Sequence, residues 1–94
     1  MREAQNGRVG TMHDRNIERI LTLSTAHAPG PNPEFGDVRT ADHEYGWIVF
    51  VAAGIDEGAD WLRPILMIAW QGECTLILFD QDASTLDGVQ VYDW

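Results

Sequence analysis

The longest apolar run in the sequence lies in the middle of the chain, from Trp47 to Ala53. It is far shorter than the roughly 20 residues that a membrane-spanning helix needs. Residues 45–52 are rich in β-branched and aromatic side chains, a composition typical of strands. Because this segment is apolar at nearly every position, we predict that it forms the central strand of a sheet and is buried on both faces.

A helix and a second buried strand are predicted after the central strand. Asp60 is the expected N-cap of a helix that ends at Gln71, and Pro64 falls in its first turn, where proline is best tolerated. The helix is apolar around most of its circumference, so we expect the sheet to cover it. Residues 75–79 are the next strand, which we expect to run parallel to the central strand because a helical crossover returns the chain in the same direction.

The remaining segments carry weaker signals. Residues 19–24 predict a first strand, with a helix as the competing interpretation of the same apolar spacing. Residues 29–33 contain three prolines and predict a rigid loop. Residues 35–44 are polar and have room for one helical turn. An Asp-Gly pair predicts a turn that leads into a last strand over 89–92.

Together these elements predict an α/β (α+β) fold, in which a mixed sheet of three to four strands carries one main helix on a face. We expect one domain over 16–94, preceded by a polar arm over 1–15. The residues expected in the core between helix and sheet are Trp47, Val49, Val51, Ile65, Ile68, Leu76 and Leu78.

Charge and cysteine content limit the classes of partner and compartment. The chain has 15 acidic residues, six arginines and no lysine, for a formal net charge of -9. Direct binding to nucleic acid or to an anionic membrane is therefore disfavoured, since both require basic side chains. Cys74 is the single cysteine and is expected to behave as a small apolar core residue. Without a disulfide or an apolar export signal, the chain is expected to be cytoplasmic.

Polar residues at predicted strand ends are candidates for chemistry, because open α/β sheets present catalytic groups there. Ser24, Thr25 and His27 follow the first strand. A catalytic triad is not favoured, since neighbouring side chains on an extended strand point to opposite faces. We favour a structural Ser-Thr turn in which His27 is bonded to the backbone.

Asp80 and Asp82 follow a buried strand and could bind one hard cation. With Asp87 they partly match a calcium loop, but the bidentate Glu of that loop is absent. A turn stabilised by Asx hydrogen bonds explains the same residues, and we favour it. The dipeptides at 13–14 and 43–44 lack the spacing of zinc ligands, and their histidines are expected to be solvated loop residues, as is His27. We expect no structural metal and no cofactor.

Four short motifs carry a resemblance to a known family. They are an LSTAH strand end, a YGW triplet, a Gly-Glu-Cys helix exit before a strand that ends in Phe-Asp, and a closing DG-x-x-x-Y-D-W pattern. Over roughly residues 20–94 the chain resembles small proteins of unassigned function that are encoded largely on plasmids, prophages and other mobile elements. In such relatives a helix is expected to begin where this chain has its prolines at 29–33. The resemblance implies a setting in which small acidic proteins often block host defence complexes, as anti-CRISPR and anti-restriction proteins do.

Two functional hypotheses follow. In the first, the chain is not an enzyme, and its acidic, nucleic-acid-mimicking surface docks on a basic surface of a host protein or ribonucleoprotein complex. We expect this function to rest on surface acids rather than on His27, with two aromatic anchors. The candidate binding residues are Asp56, Glu57, Asp60, Asp80, Asp82, Asp87, Tyr92 and Trp94. The alternative is a small metal-dependent hydrolase that uses His27 with Asp80 and Asp82. A homodimer formed through an exposed strand edge is left open.

Overall fold

A computed structural model describes residues 18–51 and 55–94 of the chain. Four strands form one mixed sheet in the spatial order β1-β4-β3-β2. The strands are β1 (Ile20–Leu23), β2 (Thr40–His43), β3 (Gly46–Phe50) and β4 (Leu76–Asp80). The predicted fold class is confirmed, because one main helix packs on one face of this mixed sheet.

The helix, α1 (Arg63–Gln71), lies between β3 and β4 in the chain. Its predicted end is confirmed, since Gly72 caps it, and Pro64 lies in its first turn as expected. The predicted N-cap is wrong. Leu62 occupies that position without a side-chain hydrogen bond, while the Asp60 carboxylate pairs with the Arg63 guanidinium at 3.0 Å.

The predicted parallel pairing of β3 with β4 is also wrong. These strands are antiparallel, with Trp47 opposite Phe79, and β4 instead runs parallel to β1. The reason lies in the connection from β3 to β4, which passes between the two ends of the sheet twice. The Val51 N–H donates to the Thr75 carbonyl at one end of the sheet, whereas the Trp61 ring lies 5.8 Å from the Phe79 ring at the other. The chain therefore reaches the far end of the sheet before α1 begins, and α1 brings it back to the end where β4 starts.

The core lies on a single face of the sheet, beneath α1. Val49 and Ile65 are buried as predicted, and Trp47 and Val51 pack against the core while partly exposed. The remaining core residues are Leu23, Val38, Leu62, Leu66, Ala69, Ile77 and Phe79.

The predicted burial of Leu76 and Leu78 is wrong by one residue in register. Their neighbours Ile77 and Phe79 are fully buried, and side chains alternate between the faces of a strand, so Leu76 and Leu78 lie on the face that α1 does not cover. For the same reason β3 is not buried on both of its faces. Ile68, predicted to be in the core, is 37% exposed.

Two other segments differ from their predictions. Residues 35–44 contain β2 rather than a helical turn, because Thr40 to His43 pair with β3 across a tight turn. Residues 89–92 do not form a strand. The proline-rich stretch 29–33 is a loop, as expected, and residues 19–24 contain β1.

Among the helices of the described residues, none has the length and apolarity to cross a membrane.

Because only one side of α1 faces the core, truncation of two of its isoleucines should lower the free energy of unfolding by different amounts. Truncating the fully buried Ile65 to Ala should lower the free energy of unfolding by about 2–5 kcal/mol through lost packing and a cavity. Ile68→Ala should cost only about 1 kcal/mol, since part of the side chain is already in water. Urea unfolding of both variants measures the difference. Equal costs would contradict the burial of Ile65 and the partial exposure of Ile68.

Gly46 in the YGW triplet has no room for a side chain. A Cβ at this position would collide with the carbonyl oxygen of Phe79 on the neighbouring strand. We expect Gly46→Ala to cost about 1–3 kcal/mol or more, because the obstacle is backbone that cannot rotate away. Gly30→Ala is the matched control, since nothing lies within 4 Å of its Cβ. Thermal unfolding of the two variants tests this, and a Gly46→Ala variant as stable as the control would contradict it.

Candidate functional site

Residues 24–28, which follow β1, lie along residues 84–94, hereafter the 84–94 segment. The two stretches are joined by three hydrogen bonds in addition to those of His27. The donors and acceptors are the Ser24 N–H and the Ser84 carbonyl (3.0 Å), the Tyr92 N–H and the Ala26 carbonyl (2.8 Å), and the Trp94 indole N–H and the Ala28 carbonyl (2.7 Å). The LSTAH motif is thus in contact with the segment that holds the closing DG-x-x-x-Y-D-W pattern.

Ser24 shapes the turn after β1. It is buried and caps a single 3-10 turn, Thr25–His27, in which the Ser24 Oγ accepts from the Ala26 N–H at 3.0 Å. The predicted structural turn is therefore confirmed. Its consequence is to direct the His27 side chain into the protein.

His27 is bonded to the backbone on both sides of its ring. It is 1% exposed, Nδ1 lies 2.8 Å from the Gln90 carbonyl, and Nε2 lies 2.8 Å from the Leu86 backbone nitrogen. A backbone N–H is only a donor and a carbonyl only an acceptor, so these partners assign the proton to Nδ1. The backbone bonding that we favoured is confirmed, and the expectation of a solvated histidine is wrong. Neither nitrogen is left to accept a proton from a substrate.

Asp80 and Asp82 form the predicted Asx turn. The Asp80 Oδ1 accepts from the Asp82 N–H at 2.8 Å. Asp80 is partly exposed and the Asp82 side chain is exposed. Within residues 18–51 and 55–94, no group of three or more His, Cys, Asp or Glu side chains is placed to hold a metal ion. The Asp80 carboxylate therefore shapes the turn, and the Asp82 carboxylate is exposed on it.

Two further acids lie on turns near this end of the sheet. The Gln81 N–H donates to the Tyr45 carbonyl at 2.9 Å, which places the β2–β3 turn, and with it Glu44, against the exit from β4. Sequence reasoning missed Glu44, because only the pairing of β3 with β4 brings it there. Asp87 lies in a turn closed by a 3.4 Å hydrogen bond from the Val89 N–H to the Leu86 carbonyl.

The other predicted binding acids lie on the loop before α1. Asp56 and Glu57 are exposed on a single 3-10 turn, and the Asp60 side chain is 94% exposed. Arg63 neutralises part of this group, since its guanidinium pairs with Asp60 and also donates to the Asp56 and Gly58 carbonyls. The structure thus places the predicted acids on three parts of the chain: the loop before α1, the turn after β4 and the 84–94 segment. Arg63 pairs with the group before α1.

Negative charge dominates the part of the chain that forms the domain. Residues 18–94 contain 13 of the 15 acidic side chains but only three of the six arginines. Of these three, Arg63 is paired with Asp60, and the Arg39 guanidinium lies 4.8 Å from the centre of the Phe50 ring. The surface of the domain therefore carries far more negative than positive charge.

Two tryptophans are largely exposed. Trp94, one of the predicted anchors, is 54% exposed while its indole N–H is hydrogen-bonded, and Tyr92 is partly buried. Trp70 is 59% exposed on the outer side of α1, next to Met67. The sequence did not single out Trp70, because an almost wholly apolar helix predicts full coverage. That expectation is wrong, since only Ile65, Leu66 and Ala69 of α1 are buried.

The remaining candidate histidines and the cysteine either support the fold or lie outside the described residues. His43 accepts from the Tyr45 N–H at 3.1 Å through Nδ1 and so shapes the β2–β3 turn. Cys74 is partly buried and packs against the core, as expected. The whole of the predicted arm over 1–15, with His13 and Asp14, lies outside the described residues, which begin at residue 18.

The Asx turn at Asp80 predicts different effects for two neutralising substitutions. Asp80→Ala should destabilise the domain by about 0.5–1.5 kcal/mol, because the Asp82 N–H loses its acceptor. Asp80→Asn keeps an oxygen at this position and should cost less. Chemical unfolding of both variants, with Asp82→Ala as the control for loss of charge, measures the contribution of the bond. Equal stability of Asp80→Ala and Asp80→Asn would show that the turn does not depend on it.

Comparison with known proteins places the chain in a family. No curated protein and no solved structure matches it. A family model described as the C-terminal domain of a family of unknown function, DUF5983, matches residues 20–94. The match spans all four strands, α1 and both stretches that His27 joins. This chain belongs to the DUF5983 family.

Proposed function

We propose that the chain is a non-enzymatic binding module whose acidic surface docks on a basic surface of a host protein or ribonucleoprotein complex, in place of nucleic acid. The observation that carries the proposal is the charge of residues 18–94, where 13 acidic side chains stand against three arginines. Most of these acids are exposed, so they are available to cations of a partner. Such a surface speeds and orients association with a basic groove.

The acids near the exit from β4 are held by hydrogen bonds of their own turns. The Asp80 carboxylate shapes the turn that presents Asp82, and the contact of Gln81 with Tyr45 holds the turn that carries Glu44. Carboxylates on ordered turns lose less conformational entropy on binding than carboxylates on flexible loops. This arrangement suits a surface that replaces the regularly spaced charges of a phosphate backbone.

Trp94 adds an aromatic anchor to this surface. More than half of the side chain is exposed, while the hydrogen bond from its indole to the Ala28 carbonyl restricts its orientation. Exposed tryptophans with a fixed orientation often contribute a large share of binding energy at interfaces. We expect Trp94 to be buried in the complex.

The hydrolase alternative receives less support from the same geometry. A general base must reach the proton that it removes, and both ring nitrogens of His27 are already bonded to backbone inside the protein. One oxygen of Asp80 is likewise engaged by the Asp82 N–H. A catalytic role for His27 would require the contacts that bury its ring to open.

The resemblance to small proteins of mobile elements supplies the class of partner. Host restriction and CRISPR complexes bind nucleic acid in grooves lined by basic side chains, and an acidic protein can compete for such a groove. The proposed activity is therefore inhibition of a host defence complex, of the anti-restriction or anti-CRISPR type.

Charge reversal tests the proposal. Bacteria that carry a defined restriction or CRISPR system and express this chain should be infected by phage more efficiently than bacteria without it. The variant Glu44→Lys/Asp82→Lys/Asp87→Lys should lose most of this increase in infection, because its new lysines repel the basic surface of the partner. The measurement is the efficiency of plating over a panel of defence systems, with thermal unfolding to show that the variant is folded.

The matched control reverses three exposed acids outside the candidate binding residues, Glu18→Lys/Glu34→Lys/Glu73→Lys, so the net charge changes equally. We expect this control to keep inhibition. In a cleavage assay with purified complex, inhibition should saturate at a fixed molar ratio and weaken with salt. Inhibition by far less than one chain per complex would indicate turnover and contradict a binding module, as would full activity of the first variant.

A further inference from the structure

The 84–94 segment is held to the domain without being a strand of its sheet. Its apolar contribution to the core consists of Leu86 and Val89, which are only partly buried. Hydrogen bonds to residues 24–28 therefore provide much of its attachment. Segments with few buried apolar contacts open locally at a lower free energy than the core does.

His27 contributes two of those hydrogen bonds from a single rigid ring. Nε2 accepts from the Leu86 N–H, and Nδ1–H donates to the Gln90 carbonyl, so the ring fixes two points four residues apart in the segment. The turn that carries Asp87 lies between them. Since the ring is buried, water does not offer either backbone group a ready substitute.

No other side chain reproduces this pair of contacts at the same two positions. Asn places a donor close to the position of Nδ1 but does not reach the Leu86 N–H, whereas Gln reaches the position of Nε2 with an acceptor oxygen. His27 also lies outside the apolar cluster of strand and helix side chains that forms the core. Its loss should therefore affect the 84–94 segment more than it affects the sheet.

We propose that His27 is the positioning residue of the partner-binding surface. With its proton on Nδ1, it holds the 84–94 segment in the arrangement that presents Asp87 and Trp94. This inference rests on the proposed function and deepens it. It revises the expectation that binding depends on the surface acids and not on His27. The His27 ring does not touch the partner, but substitutions at His27 weaken binding because the residues that do touch it lose their fixed positions.

The tautomer is tested by nitrogen-15 NMR of the histidine rings in the isolated protein. We expect His27 to show a protonated Nδ1 and an unprotonated Nε2, the reverse of the tautomer that predominates for free imidazole side chains in water. The partly exposed His43 serves as the internal comparison. A His27 ring protonated on Nε2 would overturn the proposal.

Hydrogen exchange tests whether His27 acts locally. In His27→Asn, exchange at the Leu86 and Tyr92 amides should accelerate about tenfold, the change expected for loss of about 1.4 kcal/mol of local hydrogen bonding. Amides in the middle of β4 should be unchanged. His27→Gln should retain more protection at Leu86 than His27→Asn does, and His43→Gln is the control. Equal acceleration in β4 and in the 84–94 segment would overturn the proposal, because His27 would then support the whole fold.

The cleavage assay with purified defence complex separates the two proposals. Reduced inhibition by His27→Asn, with partial rescue in His27→Gln, supports the positioning role. Full inhibition by a His27→Asn variant whose segment exchanges faster would overturn that role and leave the proposed function standing. Failure of the wild-type chain to inhibit any complex would overturn the proposed function and the binding role of His27 with it, whereas NMR and exchange would still decide whether His27 holds the segment.

Discussion

The fold depends on the packing around Phe79, a fully buried residue at the end of β4. Rings of Phe35, Trp47 and Trp61 lie 5.8–6.3 Å from the Phe79 ring. These three residues come from the loop after the prolines, from β3 and from the approach to α1. One aromatic cluster therefore joins parts of the chain that are far apart in sequence, which suits a domain of this size because each aromatic buries a large area.

Polar contacts complete what the apolar core leaves open. The core lies on one face of the sheet, and the 84–94 segment contributes little apolar surface to it. Hydrogen bonds to residues 24–28 attach that segment, and His27 supplies two of them from inside the protein. Such bonds are directional, so they hold the segment in one arrangement, which apolar contacts of the same strength would not do.

The relation of this arrangement to function follows from where the charge lies. Acidic side chains occupy turns and loops whose backbone is hydrogen-bonded, while the apolar residues lie beneath α1. The buried ring of His27 is not accessible to a substrate, whereas most of the acidic side chains are exposed. Both features favour the proposed binding function over the hydrolase alternative.

The fold class and several local features could be predicted from the sequence, because they depend on neighbouring residues. These features include the apolar segments that form β3, α1 and β4, and the loop that contains the prolines. They also include Gly72 as the end of α1, the turn at Ser24 and the Asx turn at Asp80. Each is decided by steric limits or hydrogen bonds within a few residues. The excess of acids and the candidate binding residues among them could also be read from the chain.

Tertiary structure decided strand direction, the face of each strand that is buried, and the surroundings of His27. The direction of β4 depends on where the chain enters α1, because Trp61 lies at the opposite end of the sheet from Val51 and α1 returns from there. Contacts between residues far apart in sequence decide that position. Burial of Ile77 and Phe79 rather than Leu76 and Leu78 depends on α1 covering only one face, since all four positions are apolar. His27 is hydrogen-bonded to Leu86 and Gln90, which are 59 and 63 positions away in the chain. The sequence around His27 therefore does not determine the surroundings of its ring.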